Sequence, residues 1–128
     1  MPEYQVKATN LDELDTFTRA YLEAAEWSGL DDDASTALEL SVDPRWTDES
    51  LSQAKSDCEA FQRDNASDLA EWTDEQAGHD FWLTRNRHGA GFWDRGMGES
   101  GDRVTDAAHV YGEVPVFFDA ETETLELG

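Results

Sequence analysis

Residues 79–95, HDFWLTRNRHGAGFWDR, collect most of the side chains in this chain that could do chemistry. The run holds two of the five Trp, two of the three His and three of the seven Arg. His79, Asp80, Arg85, Asn86 and His88 offer general acids, general bases and an anion-holding guanidinium, the ingredients of a small active site. Trp82, Arg85, Arg87, His88, Trp93, Asp94 and Arg95 form an overlapping set suited to protein recognition, because Trp and Arg are favoured at binding hot spots. A third reading is purely structural. Trp82, Phe92 and Trp93 would fill a core, Arg85 and Arg95 would pair with Asp80 and Asp94, and His88 would bond a loop carbonyl.

Spacing narrows these readings. On a helix Phe81 aligns with Arg85, and Trp82 with Arg85 and Asn86, whereas His79 and His88 meet only if the following loop folds back. The chain has no HxxxH or CxxC pattern, so a metal site would have to recruit Cys58, His109 or a distant Asp; neither a metal nor a cofactor is expected. The run contains no Ser, and Thr84 has no base at a diagnostic spacing. GAGFWDRGMG imitates a phosphate-cradling loop but lacks the Lys-Ser/Thr ending and a preceding strand.

The surroundings of this run are unusual in charge. It carries +1, while the other 111 residues hold six cations against 28 anions, and the whole chain is −21. Two physical readings compete with a plain acidic protein. At molar salt the Debye length falls to about 3 Å, so dense carboxylates repel little and keep a surface hydrated. Alternatively, carboxylates imitate duplex phosphates and occupy the nucleic-acid-binding surface of another protein. Direct binding of DNA or RNA is not expected, since no basic patch exists outside the run. No apolar stretch is long enough to span a membrane, and MPEYQVKATN has neither the basic nor the apolar region of a secretory signal. The single Cys58 sits in a helical apolar pattern as a small buried residue, consistent with a reducing cytoplasm.

The elements that must position the run follow from periodicity. One domain of 128 residues is expected, mostly α in an α+β sense, with about four helices and a small β-hairpin toward residue 128. Tyr4 and Val6 suggest a short strand or arm. Asn10 with Glu13 resembles a capping box opening a helix over about 11–28, with Leu14, Phe17, Tyr21, Ala24 and Ala25 inward and Gly29 as its stop. Residues 30–46 read as a polar loop in which Asp31, Asp32 and Asp33 form a solvated charge run. Thr47 or Asp48 caps a second helix over about 49–63, with a stripe of Leu51, Ala54, Cys58 and Phe61. Thr73 with Gln76 opens a third through about Asn86, whose mixed face predicts partial exposure. Five glycines make 87–102 a loop, and 102–111 a last short helix facing inward with Val104, Ala107, Ala108 and Tyr111. The hairpin is expected as 114–118, a turn at 119–121, and 122–127.

Taken with DCEAFQRDNASDL before it and VTDAAHVYGE after it, AGHDFWLTRNRHGAGFWDRG resembles a family of small, mostly uncharacterised proteins of tailed phages and prophages. The similarity runs over roughly residues 15–115 and includes TFTRAYLEAAEWS. It implies a viral or proviral accessory protein acting in the host cytoplasm, and it supplies no catalytic residue. The Asp and Glu load with scarce Lys departs from the family and suggests a halophilic host. Together these lead to an expected acidic accessory protein that binds a host protein, including as a DNA mimic blocking a defence complex. A small enzyme built on residues 79–95, or a virion or assembly protein, are the alternatives.

Overall fold

In a computed structural model, residues 7–88 and 90–128 are described; the arm expected around Tyr4 and Val6 lies outside them. Five helices pack around one core: α1 (Thr16–Ser28), α2 (Asp32–Leu40), α3 (Asp48–Asp64), α4 (Asp74–Arg85) and α5 (Gly98–Tyr111). Strands β1 (Arg45–Trp46), β2 (Val116–Asp119) and β3 (Thr124–Leu127) make a small sheet in the order β1-β3-β2. The mostly helical architecture with a small sheet formed largely near residue 128 is the one expected from the sequence.

α4 is the central element. From Ala77 onward every residue except His79 is buried, through Arg85. The partial exposure inferred from its mixed face is confined to Asp74, Glu75 and Gln76 in the first turn and to His79. A helix enclosed for most of its length needs no apolar stripe, and its buried polar residues are solvated by other parts of the protein. α1 lies close along it, because Gly78 leaves room where a Cβ would come 2.1 Å from the Phe17 carbonyl oxygen. Around α4 the aromatics stack. Phe61 of α3 lies 4.1 Å from Phe81 with rings 11° from parallel, and Tyr111 of α5 meets Phe81 edge-on at 5.1 Å. Phe17 and Tyr21 close the cluster from α1. Each such pair adds about 0.5–1.5 kcal/mol beyond its buried area.

Helix ends follow local chemistry more closely than the sequence reading did. α3 begins where Thr47 accepts from the Ser50 amide, as expected, and its stripe buries Ala54, Cys58 and Phe61. α4 likewise starts at Thr73, which accepts from the Gln76 amide. Asn10, however, caps nothing. Its side chain takes the Trp46 amide at 3.0 Å and donates to the Trp46 carbonyl at 2.9 Å, sealing the outer edge of β1. Asp15 caps α1 instead, accepting from Thr18. The polar loop over 30–46 is also corrected. Asp31 accepts from the Ala34 amide, and Asp32 and Asp33 occupy the first turn of α2, where the helix dipole favours negative charge. α5 starts four residues earlier than expected, so the Gly-rich loop is short and contains a 3-10 turn at Phe92–Asp94.

The sheet has one feature no hairpin signal predicts. β2 and β3 form the expected antiparallel pair, with Val116 opposite Leu127 and Phe118 opposite Leu125. β1 then joins β3 in parallel, placing Trp46 beside Leu125. Leu125, Leu127, Val116 and Trp46 face the helices, while Phe117 and Glu126 face solvent.

Candidate functional site

Asp80 projects from the middle of α4 and is fully buried. Its carboxylate is saturated by four donors. Arg95 grips it with both Nε (3.0 Å to Oδ2) and Nη2 (2.7 Å to Oδ1). Trp72 donates its indole N–H to Oδ2 at 3.1 Å, and Gln76 donates to Oδ1 at 2.9 Å. With two donors on each oxygen, no lone-pair direction is left for a substrate proton. The bond to Asp80 also holds the Arg95 guanidinium in its charged form, raising its pKa above the ordinary value. The pairing of Arg95 with an acid was legible in the sequence. The convergence of Trp72 and Gln76 on the same carboxylate was not.

Arg85 lies one turn and a half further along α4 and is 4% exposed. Its Nε donates to the Gly112 carbonyl at 2.8 Å and its Nη2 to the Tyr111 carbonyl at 2.9 Å, so it caps the end of α5. Its Nη1 donates to the Tyr21 hydroxyl at 3.0 Å and to Asp57 at 2.9 Å. The guanidinium lies over Phe81 and Tyr111, 5.7 and 5.4 Å from the ring centres. Its acidic partner is thus Asp57 on α3, not Asp80 or Asp94 as the sequence reading had it. One side chain ties α4 to α1, α3 and α5. Burial also pushes the Tyr21 hydroxyl and the Cys58 thiol well above their ordinary pKa values, so neither is an available nucleophile near neutrality.

The remaining candidates divide between scaffold and surface. Asn86 donates to the Trp82 carbonyl and accepts from the Val114 amide at 2.8 Å, linking the end of α4 to the approach to β2. Trp82 is buried and donates to Ser28 at the end of α1. Thr84 accepts from the Phe92 amide, anchoring the 3-10 turn. The chain leaves α4 through two backbone bonds, His88 N–H to Leu83 O and Arg87 N–H to Thr84 O, with Arg87 at φ 57°. These are the two bonds of a Schellman stop, and Arg87 occupies its left-handed position, which glycine usually takes. Arg87 and Asp94 are exposed, His79 and His88 half-buried, and Trp93 is half-exposed rather than core. Asp80, Arg85 and Asn86 therefore hold the fold together, and the proposed catalytic set does not converge on a shared cleft. Among the described residues, no group of three or more His, Cys, Asp or Glu side chains is placed to hold a metal ion.

Two surface features remain. Of the acidic side chains among the described residues, only Glu26 and Asp80 are buried. Exposed ones occur on four of the five helices, from Asp32 and Asp33 on α2, Glu49 and Glu59 on α3 and Asp74 and Glu75 on α4 to Glu99, Asp102 and Asp106 on α5. They belong to several helices rather than to a single element. Beside Trp72, a depression of about 270 Å³ is lined by Phe17, Leu69, Ala77, Ala66, Ala70, Gln62 and Asp74. The sequence reading missed it because residues 65–72 carry no strong periodic signal. No helix among the described residues is long and apolar enough to cross a membrane. Compared with family models, curated proteins and solved structures, the chain matches none.

Proposed function

We propose that this chain is an acidic, non-catalytic binding protein of viral or proviral origin that engages a basic surface on a protein of its host cytoplasm. The observation that carries this reading is the division of labour between interior and surface. The polar groups of residues 79–95 that looked catalytic are largely consumed in holding α4 to its neighbours, with Asp80 taking four donors and Arg85 giving four hydrogen bonds. The surface, by contrast, displays exposed carboxylates on α2, α3, α4 and α5. Such a surface attracts cationic partners over a Debye length and repels nucleic acid. The acidity also suits a high-salt cytoplasm, where dense carboxylates keep the protein hydrated.

A nucleic-acid-binding host protein, such as a subunit of a defence complex, has the complementary charge. The test is capture of host proteins on the immobilised chain, followed by competition with duplex DNA. Partners displaced by DNA support the mimic reading. Partners without nucleic-acid affinity, or partners that DNA fails to displace, refute it. The competition is run across a salt series, because an electrostatic complex weakens steeply as ions screen it.

A further inference from the structure

We propose that the outer edge of β2 pairs with the same edge of a second copy of this chain, joining two three-stranded sheets into one. The proposal is independent of the host-protein reading above.

Hydrogen-bond phase shows which groups of β2 point off the sheet. The Gly128 amide donates to the Pro115 carbonyl, and Val116 lies opposite Leu127, so Pro115, Phe117 and Asp119 hold the positions that bond to β3. Leu127 agrees with this phase, since its amide turns away from β2 to Ser50. The N–H and C=O of Val116 and Phe118 therefore point outward. Among the described residues these groups have no hydrogen-bond partner, although α2 packs against β2. The opposite edge of the sheet is closed, because Thr9 donates to the Pro44 carbonyl and Asn10 takes both backbone groups of Trp46. An unpaired strand edge is a template for another strand.

This edge is complementary to itself. A two-fold axis through Phe117 sets Val116 opposite Phe118 of the second copy, so every outward N–H and C=O finds a partner. Pro115 then lies opposite Asp119 of the second copy. Its missing N–H costs nothing there, because that position points toward β3, and no carboxylate faces its own copy. The two Phe117 side chains meet at the axis on the solvent face. Phe117 is 57% exposed and sits with Pro115 beside Gly128, so the covered strip is apolar at its centre. Few residues pair, which places the dimer in the weak, transient class. Each copy also carries −21, and the copies repel until salt screens them. Self-association thus strengthens with salt, the reverse of an electrostatic complex with a basic partner.

The full chain is brought to sedimentation equilibrium from about 0.5 M to about 3 M salt. The expected result is a monomer–dimer equilibrium that tightens as salt rises. F117S should weaken it about tenfold or more, whereas V110S, which removes an exposed apolar side chain from α5, should leave it unchanged. Oxidative cross-linking reads the register, and the buried Cys58 stays out of it. F117C sets the two Cα atoms about 4.5 Å apart and should give a disulfide-linked dimer. D119C sets them roughly 13 Å apart and should not. A chain that stays monomeric at every salt concentration overturns the proposal and leaves the host-protein reading untouched. A dimer in which D119C cross-links as fast as F117C, or which V110S weakens as much as F117S, has formed elsewhere and overturns it too.

Discussion

Replacing Arg85 with Met is the sharpest probe of what residues 79–95 do. The substitution keeps length and apolar stem but removes four hydrogen bonds at once, to Gly112, Tyr111, Tyr21 and Asp57. Asp57 keeps some access to water, with a side chain 26% exposed, and so recovers part of its solvation. The Tyr21 hydroxyl is fully enclosed, and the two carbonyls at the end of α5 are partly so. At about 1 kcal/mol or more for each orphaned acceptor, and with loss of the guanidinium over two rings, the cost comes to about 3–5 kcal/mol. That is a large share of the roughly 5–15 kcal/mol that holds a domain of this size together. R85K is the discriminating control, because an ammonium preserves charge but cannot span two carbonyls, a hydroxyl and a carboxylate in one plane. It should lose about half as much as the Met variant. The assay is equilibrium unfolding in urea, chosen over guanidinium because the latter is itself a salt, followed by Trp fluorescence at fixed ionic strength. A Met variant within about 1 kcal/mol of the parent, or equal to the Lys variant, would refute the idea that Arg85 is a structural hub.

Four further outcomes are expected. R87G should stabilise the chain by about 0.5–1 kcal/mol in the same urea assay, since glycine relieves the left-handed backbone at φ 57° at a smaller cost in unfolded-state entropy. G78A should destabilise by at least about 2 kcal/mol, because its methyl would be driven into the Phe17 carbonyl where α1 and α4 touch; thermal unfolding checks this. Asp68 accepts from Arg103, which holds its carboxyl below the ordinary value of 3.8. The stability this pair contributes is complete above that value and fades as pH falls through the lowered folded value. A carbon-detected NMR titration should show the shift, and R103Q should abolish it. Finally, the carboxylate surface predicts expansion or unfolding below about 0.5 M salt, where the Debye length exceeds roughly 4 Å. Unchanged circular dichroism and scattering radius in dilute buffer would contradict it.

The sequence was most informative where structure is local. The apolar spacing of Ala54, Cys58 and Phe61, and the caps at Thr47 and Thr73, rest on interactions within one turn, and they are where the periodicity put them. α2 was readable in principle, from Asp31 followed by Ala34, Ala37 and Leu38, but three consecutive aspartates look like a solvated run unless their place at a helix start is recognised. What stayed hidden was long-range. Asn10 has all the marks of a cap and instead bonds Trp46, 36 residues away. Arg85 reads as a surface or catalytic cation because its partners Asp57 and Tyr21 lie 28 and 64 residues from it. Polar residues on α4 suggested an exposed face. Their burial depends on donors and acceptors delivered by other helices, which no spacing within α4 can report. The depression beside Trp72 was invisible for the same reason, since Phe17, Leu69 and Ala77 meet only once α1 and α4 have packed.

The parallel pairing of β1 with β3 constrains how the chain reaches this state. β3 is the middle strand, and its Leu127 amide is received by Ser50, 77 residues earlier. β1 therefore has no sheet partner until residues 124–127 have been synthesised. Until then the Trp46 backbone has the Asn10 side chain but no strand beside it, while α1, α3 and α4 can assemble ahead of the sheet. Closing so long a loop is slow relative to helix packing, so the sheet should be the last part of the fold to lock. Synthesis of residues 124–127, rather than helix formation, then sets when the sheet is complete.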